Sequence, residues 1–292
     1  KSITISANVT TIGDSAFEGC AALTTVTFAG DSQLGSIGGS AFQSSGLTSI
    51  VFPTGVPLTS IGASAFRSSA IKAVVIPKEV TSLGDYVFSR CTALTNVTFA
   101  HDTQLTRLPE YGWNYCRSLE SITIPASITR VGHAEFQYAS SLKSVIFAEN
   151  IQLNNIYWNM FANTALTSIT IPASVITISQ NAFMSCSALK IVIFEAGCLN
   201  TVQISNNAFQ GIAAQSISLP STAVCDQCGV RVTDATCAPT ASPTQPAPTA
   251  APSAAPTLVP SAAPTTALPT TAQPTVSCPA GTYSTAGANS AD

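Results

Sequence analysis

The chain has 292 residues, of which only 9% are charged, and its net charge is −3 at pH 7. So few charges and no basic excess exclude a nucleic-acid binder by the electrostatic criterion. The mean hydropathy is +0.33, yet no apolar run approaches the roughly 18 residues of a membrane span.

A short repeat fills the chain from Lys1 to Pro220. Its strand-like runs end at positions spaced by 23 to 25 residues, namely Ile5, Phe28, Phe52, Ile76, Phe99, Ile124, Phe147, Ile171, Phe194 and Leu219. An aromatic residue, here called the anchor, marks each interval: Phe17, Phe42, Phe66, Phe88, Trp113, Phe136, Phe161, Phe183 and Phe209. A period this regular predicts a β-rich solenoid of about nine coils, because one coil cannot bury its apolar side alone.

One coil shows how the repeat is built. Residues 166–171 alternate apolar and polar side chains, as a half-buried strand does, and Pro172 ends the strand because it cannot donate to a ladder. A second short strand is predicted around 175–178. The stretch 181–183 is predicted to be one helical turn that inserts Phe183 into the core. In other coils a glycine such as Gly62 follows the second strand, which is consistent with a tight bend.

The connection after the first strand comes in two lengths that roughly alternate. The short form begins Ile-Pro, as at Pro77, Pro125 and Pro172, and the long form begins Phe-Ala, as at residues 28–34 and 99–105. The extra residues of the long form are expected to bulge outward on one edge. The predicted architecture is one ladder of parallel strands with short helical turns.

The segment IGDSAFEGCAALTTVTF at 12–28, together with strands followed by IPASV, resembles the BspA-like leucine-rich repeat family. The resemblance covers about 220 residues. It implies a leucine-rich-repeat solenoid in a surface or secreted protein implicated in adhesion, and it says little about the ligand. Residues 108–113 depart from the pattern, with Pro109 for Gly and Trp113 for Phe. The coil of Phe209 also departs, as a terminal coil does.

The C-terminal part changes composition, and four segments are predicted: the solenoid at 1–220, a Cys-containing cap at 221–238, a disordered linker or stalk at 239–277, and a truncated module at 278–292. The linker is Pro, Thr, Ala and Ser, which buries nothing and is typical of an O-glycosylated stalk or a plain spacer. Residues 278–284 resemble the start of an ephrin-receptor-like or tumour-necrosis-receptor-like cysteine-rich module. The chain begins in a repeat strand, so we expect it to be a fragment.

The nine cysteines fall into two groups, apart from Cys278. Cys20, Cys91, Cys116 and Cys186 each follow an anchor by three residues, where the family has a small buried residue, so they are expected to be buried free thiols. Near the end of the solenoid, Cys225, Cys228 and Cys237 are the candidate disulfide-bonded cap. Zinc bound by this second group with Cys198 is the alternative, and secretion favours disulfides.

No catalytic constellation emerges from the sequence, so the protein is predicted not to be an enzyme and to carry no cofactor or metal. His101 and His133 lie in different coils and are interpreted as solvated turn residues. Glu18, Glu110 and Glu135 are placed on the outer turns with local hydrogen bonds. No phosphate loop, nucleophile elbow or calcium loop is present.

The candidate binding face is the outward side of the strands. Its small polar residues are Thr25, Thr27, Ser49, Asn96, Thr98, Ser121, Thr123, Ser144, Ser168, Thr170, Ser216 and Ser218. Flat uncharged solenoid faces bind partners through extended contact, but small hydroxyls are also ordinary solvated strand residues.

This face supports an extracellular or cell-surface adhesion protein that recognises protein or glycan partners on a matrix, host or neighbouring cell. The solenoid is expected to be monomeric. A structural wall, sheath or stalk component is the alternative. An ice-binding surface is a minor one, because Thr25 and Thr27 form the only full Thr pair and Ser lacks the methyl group.

Overall fold

The structure is a computed structural model that describes residues 1–195, 202–212 and 224–225. The chain divides into two units, Lys1–Cys237 and Ala238–Asp292. All described residues lie in the first unit. The proposed boundaries at 220, 238 and 277 therefore lie outside the described residues and remain predictions.

Two ladders of parallel strands run along the described unit. The first consists of β1 (Ser2–Ile5), β3 (Thr25–Phe28), β5 (Ser49–Ile50), β7 (Ala73–Ile76), β9 (Asn96–Phe99), β10 (Ser121–Ile124), β11 (Ser144–Phe147), β13 (Ser168–Ile171) and β15 (Ile191–Phe194). The second consists of two-residue strands: β2 (Thr11–Ile12), β4 (Ser36–Ile37), β6 (Ser60–Ile61), β8 (Ser82–Leu83), β12 (Asn155–Ile156), β14 (Thr177–Ile178), β16 (Gln203–Ile204) and β17 (Val224–Cys225). The predicted parallel solenoid is confirmed, and the single ladder expected from the sequence is in fact two.

Pairing in the first ladder follows the residue after each strand. Where this residue is Ala or Glu, its N–H donates to the last residue of the preceding strand, as Ala29 does to Ile5 at 3.0 Å and Glu195 to Ile171 at 3.0 Å. The strands β1–β3, β7–β9, β10–β11 and β13–β15 then pair over four residues. Proline has no N–H to donate. Among the described strands, those followed directly by proline are β7, β10 and β13, and they pair with the preceding strand over at most one residue.

The turn segment that carries each anchor is not a helix, so the predicted helical turn at 181–183 is wrong. Its N–H groups alternate between two acceptors. In the first coil Ser15, Phe17 and Gly19 donate to carbonyls of the next coil, while the residues between them donate three residues back in their own coil. A helix would direct all these N–H groups four residues back within the segment. Bonding between coils therefore replaces the helix.

This alternation requires a left-handed backbone at the two flanking positions, which lie two residues before and two after the anchor. Their φ values are all between 51° and 79° in the described coils. Most coils place Ser, Asn or Gly there: Ser15, Gly19, Ser40, Ser44, Ser64, Ser68, Asn159, Asn163, Asn181, Ser185, Asn207 and Gly211. Left-handed backbone costs roughly 1–2 kcal/mol per residue for most side chains and least for Gly and Asn.

The anchors form one continuous stack of rings along the core. Neighbouring ring centroids are 5.1–5.9 Å apart from Phe17 to Phe209. Eight of the nine anchors are fully buried, as predicted, whereas Phe17 is only partly buried. Phe17 stacks on Phe42 alone, because no described coil covers its other face. Full burial of such a ring stabilises the fold by about 1.5–3 kcal/mol relative to leaving it exposed.

Glycine after the second strand serves coil packing. A Cβ on Gly62 would lie 2.5 Å from the Gly39 nitrogen and 2.6 Å from the Gly38 carbonyl carbon. Real Cβ atoms do not approach backbone this closely, so a side chain would push the coils apart. The tight bend inferred from the sequence is the wrong reason for this glycine, because neighbouring backbones approach too closely for any side chain.

The cysteine side chains in the core are small enough to pack there, and their thiols also donate hydrogen bonds. The thiols of Cys91, Cys116 and Cys186 donate to the anchor carbonyls of the preceding coils, at 3.0 Å, 3.2 Å and 2.9 Å. All three are buried and free. Cys20 is also buried, but it is disulfide-bonded, so its predicted free thiol is wrong. Its partner lies outside the described residues, as do the side chains of Cys225, Cys228 and Cys237.

Candidate functional site

The outward side chains of the first ladder form a surface that we call the strand face. Alternation puts Val26, Val74 and Val97 into the core and their neighbours in solvent. The predicted face residues Thr27, Ser49, Asn96, Thr98, Ser121, Thr123, Ser168 and Thr170 are exposed, and Thr25 and Ser144 are partly buried. Ser216 and Ser218 lie outside the described residues.

The strand face is more aliphatic than its hydroxyl rows suggest. Val51 is 76% exposed, Val75 56%, Ile146 55%, Ile191 52% and Ile193 50%. Exposed apolar residues grouped on one side mark interaction surfaces more often than scattered ones do. The hydroxyls supply hydrogen-bonding groups between these aliphatic side chains, as the Thr4–Thr27 pair at 2.9 Å illustrates.

Two open clefts interrupt the strand face at its proline junctions. The larger, about 710 Å³, lies between β9 and β10 and is lined by Thr98, Thr123, His101 and Ser127 among others. The smaller, about 330 Å³, includes Val51, Pro53, Val75 and Pro77. The strands β9 and β10 are not paired, and Pro125 after β10 has no N–H to donate to β9. The face opens between these two strands.

Polar groups in the larger cleft can orient a ligand. The Ser127 hydroxyl is buried and has no hydrogen-bond partner among the described residues. The Thr98 hydroxyl donates to Asn96 Oδ1 of its own strand at 3.5 Å. His101 Nδ1 lies 2.7 Å from Asp102 Oδ2, and both side chains are largely in solvent, as the sequence indicated for His101. The cleft therefore supplies small donors and acceptors around an apolar floor.

The second histidine and one carboxylate are not where the sequence placed them. His133 is partly buried, with its ring 5.4 Å from Tyr157 in an edge contact, so its interpretation as a solvated residue is wrong. Glu135 is fully buried and not on an outer turn. Its Oε2 accepts the Gly112 N–H at 2.8 Å, while Oε1 has no partner among the described residues. Burial raises the pKa of Glu135 well above its usual range.

These groups do not converge on one centre. Among the described residues no cluster of three or more His, Cys, Asp or Glu side chains could hold a metal ion. His101 is exposed to solvent, whereas Glu135 is buried in the core. In the same part of the chain, no helix has the length and apolar character that crossing a bilayer requires. The geometry provides a contact surface with shallow clefts.

Sequence reasoning missed one group of large side chains that are exposed or partly exposed. In the coils anchored by Phe88, Trp113 and Phe136, the flanking positions carry Tyr86, Arg90, Tyr111, Tyr115 and Tyr138 in left-handed backbone. Every other described coil has Ser, Asn or Gly at the same positions. The signal was in the sequence, because large side chains stand where the repeat otherwise has small ones.

Comparison with known proteins supplies the family. The BspA type leucine rich repeat region matches in six copies, within residues 1–105, 59–190 and 154–226. The chain belongs to this family. Belonging to the BspA type accounts for the coil length, the anchors and the parallel ladders. No curated protein sequence matches the chain.

Solved structures resemble the BspA-type solenoid at low identity. The chain is similar to the pneumococcal vaccine antigen PcpA, with a TM-score of 0.52 and 21% identity over 69% of this chain. The alignment covers 52% of that antigen, so the chain spans about half its length. A leucine rich cell surface protein of Faecalibacterium prausnitzii gives 0.41 and 21% identity, covering 80% of this chain and 82% of that one. The leucine rich repeat protein of T. pallidum gives 0.43 and 19%, covering 62% and 78%. These likenesses concern the fold alone.

Proposed function

We propose that the protein is an extracellular or cell-surface binding module that holds protein or glycan partners through its strand face. The observation that carries this proposal is the strand face itself. Exposed Val and Ile side chains alternate with Ser and Thr hydroxyls, and an open cleft lies between β9 and β10. Membership of the BspA-type family supports it, because stacked repeats form extended surfaces that suit the binding of a partner.

The chemistry of this face favours apolar contact and neutral hydrogen bonds. One outward column next to the strands carries charge, and there Lys143 pairs with Glu120 at 3.4 Å. The other outward residues of the strand face are Ser, Thr, Asn, Ala, Val and Ile, which carry no charge. A partner held by such a surface is not held mainly by ion pairs, so its affinity should depend little on salt.

The test introduces charge across the middle of the face. The triple variant T98K/T123K/T170K places three long cationic side chains on exposed positions without touching the core. The matched control T59K/T81K/T129K adds the same charges at exposed positions directly before β6, β8 and Arg130, which forms an isolated bridge with Arg107. Attachment of each protein to immobilised matrix proteins and to a glycan array would be measured, with circular dichroism melting as the fold control.

The strand-face variant should lose most attachment, by at least about tenfold, while the control keeps it and both melt close to wild type. Equal attachment of both variants would contradict the proposal. If attachment is lost instead through substitutions in the long connections at 31–34 or 102–105, the partner binds at the edge of the solenoid that carries these connections. If the wild-type solenoid binds no protein, glycan or ice, the alternative holds, in which the protein is a structural component of a wall, sheath or stalk.

A further inference from the structure

A second surface lies on the turn segments of the coils anchored by Phe88, Trp113 and Phe136. Tyr86 and Tyr111 stack with ring centroids 4.7 Å apart, and Tyr115 and Tyr138 stack at 4.4 Å. We call these two pairs the tyrosine stacks. The strand face lies on the first ladder, so the tyrosine stacks form a separate surface.

Arginine side chains cover the ends of both stacks. Arg67 lies 5.7 Å from the Tyr86 ring centre, and Arg90 and Arg117 lie 5.3 Å and 5.5 Å from that of Tyr115. Guanidinium groups at these distances are held by the ring quadrupole. Among the described residues none of these three arginines forms an ion pair. Their positive charge is therefore available to a partner.

The two tyrosine stacks differ in charge. Asp85 and Glu110 directly precede Tyr86 and Tyr111, and Asp85 Oδ1 accepts the Glu110 N–H at 2.9 Å. Around Tyr115 the charged neighbours are the exposed guanidinium groups of Arg90 and Arg117. Positive charge is thus concentrated at the Tyr115–Tyr138 stack, in a protein whose overall charge is −3.

An open groove leads away from this positive end. It has a volume of about 440 Å³ and is lined by Arg117, Tyr138, Ser140, Asn163, Thr164, Ala165, Ser185, Ser187 and Ala188. Among the described residues that line the groove, Arg117 is the single charged one. The rest offers small hydroxyl, amide and methyl groups, which suit an extended segment whose backbone makes hydrogen bonds along the groove.

The occurrence of large side chains here is itself informative. At the position of Arg90 and Tyr115 other coils have Ser68 and Asn163, which tolerate the left-handed backbone better. Residues kept in unfavourable backbone regions cluster at binding sites, where their side chains serve a purpose. Tyr and Arg are also the side chains most enriched among the energetically important residues of protein interfaces.

We propose that the Tyr115–Tyr138 stack with Arg90 and Arg117 is a docking site for an acidic, extended segment of a partner protein. Its carboxylates lie at the two guanidinium groups, and the segment continues along the groove past Asn163. A protein partner fits better than an acidic glycan, because Tyr115 already has Tyr138 and two guanidinium groups against its ring. No free ring face remains on Tyr115 for a sugar to stack upon.

The test selects ligands without assuming an identity. A phage library of random dodecapeptides would be panned on the immobilised full chain, and Kd values of labelled selected peptides measured by fluorescence anisotropy. The variant R90S/Y115N installs the residues that other coils use at these positions, so it should fold. The control R130S removes one exposed positive charge from the second ladder. Heparin dodecasaccharide is the acidic glycan probe.

We expect selected peptides to be rich in Asp and Glu. Their Kd should rise at least about tenfold in R90S/Y115N and stay unchanged in R130S. Replacing their Asp and Glu by Asn and Gln should cost a similar factor. Three results would overturn the proposal: no enrichment of acidic peptides, equal binding to R90S/Y115N, or heparin binding that R90S/Y115N abolishes while acidic peptides are not selected. Melting curves establish that each variant is folded.

Discussion

The strand face and the turn segments of the same coils differ in the backbone conformations that their residues must adopt. On the strand face every backbone conformation is ordinary, so outward residues can vary between Ser, Thr, Val and Ile without conformational cost. On the turn segments two positions per coil are left-handed, and only small or amide side chains fit them cheaply. A large residue at a flanking position, such as Tyr115 or Arg90, therefore carries a conformational cost that a large residue on the strand face does not.

The difference shows how a repeat should be interpreted for function. Each position of the repeat has a usual type of residue. A different residue at that position is more informative when it costs more conformational free energy. Tyr86, Tyr111, Tyr115 and Tyr138 depart at a cost and form the tyrosine stacks. On the strand face the informative features are the grouping of exposed Val and Ile side chains and the breaks in strand pairing.

The core beneath both surfaces provides the largest expected effect. Phe88→Ala removes a fully buried ring that stacks on Phe66 and Trp113, and should cost about 3–5 kcal/mol of unfolding free energy. Phe17→Ala is the matched comparison, because Phe17 is partly exposed and stacks on one ring, so its loss should be about 1–2 kcal/mol. Denaturant titration measures both, and equal losses would remove the role assigned to the continuous stack.

The left-handed columns can be tested directly. Ser185→Val puts a β-branched residue at a flanking position with a φ of 58°, and should destabilise the protein by about 1–2 kcal/mol. Ser187→Val, two residues on, is also exposed but has no positive φ, and should be nearly neutral. If the two variants had the same melting temperature, the conformational cost on which the comparison depends would not exist.

Glu135, on a turn segment, should make the stability of the protein depend on pH. The strand face carries no buried carboxyl group of this kind among the described residues. Burial raises its folded pKa above the unfolded value, so its contribution to stability is present below the unfolded pKa and is lost as pH rises through the folded pKa. Glu135→Gln should therefore match wild type near about pH 4 and melt higher at about pH 8. The expected gain is a few degrees, since 1 kcal/mol shifts Tm by about 2–4 °C at this size.

The control for this prediction is Glu120→Gln, on the exposed column beside the strands. Its effect on melting should be small at both pH values, because exposed ion pairs contribute about 0–1 kcal/mol. A Glu135→Gln difference that does not grow with pH would show that the carboxyl is ionised in the folded protein.

The smallest effect concerns rates of modification. Burial raises the pKa of Cys91 to about 12, and burial also raises the pKa values of Cys116 and Cys186. Only the thiolate reacts, so alkylation of these three residues should be slow in the folded protein and fast in denaturant. Peptide-resolved mass spectrometry separates them from the other cysteines. Rapid alkylation of Cys91 in the folded chain would contradict its place in the core.

The fold could be predicted from the sequence because its signal is repeated. Nine spacings and nine anchors fixed the coil length and the buried rings. The helical turn at 181–183 was wrong because a local pattern does not reveal that alternate N–H groups bond to the next coil. Gly62 was misinterpreted for the same reason, since its constraint is the backbone of a neighbouring coil and not its own φ.

The candidate site could be predicted only in part. Alternation placed Thr98 and Thr123 in solvent, but the cleft between them depends on Pro125 in one coil facing Ala100 in another. Glu135 looked like a turn residue until Gly112 in the preceding coil was seen to make room for it; a Cβ there would lie 2.7 Å from its Oε1. These features are contacts between coils, which no single repeat contains.

The most direct test of the central claim maps the covered surface of a complex. Hydroxyl-radical footprinting would be performed on the chain alone and with the partner that best retains it in the attachment assay. We expect protection at Val75, Ile146 and Ile193 on the strand face, with Tyr86 and Tyr115 as reactive as in the free chain. Protection confined to Ile176 and the second ladder, or to the tyrosine stacks, would contradict the claim that the strand face is the binding surface.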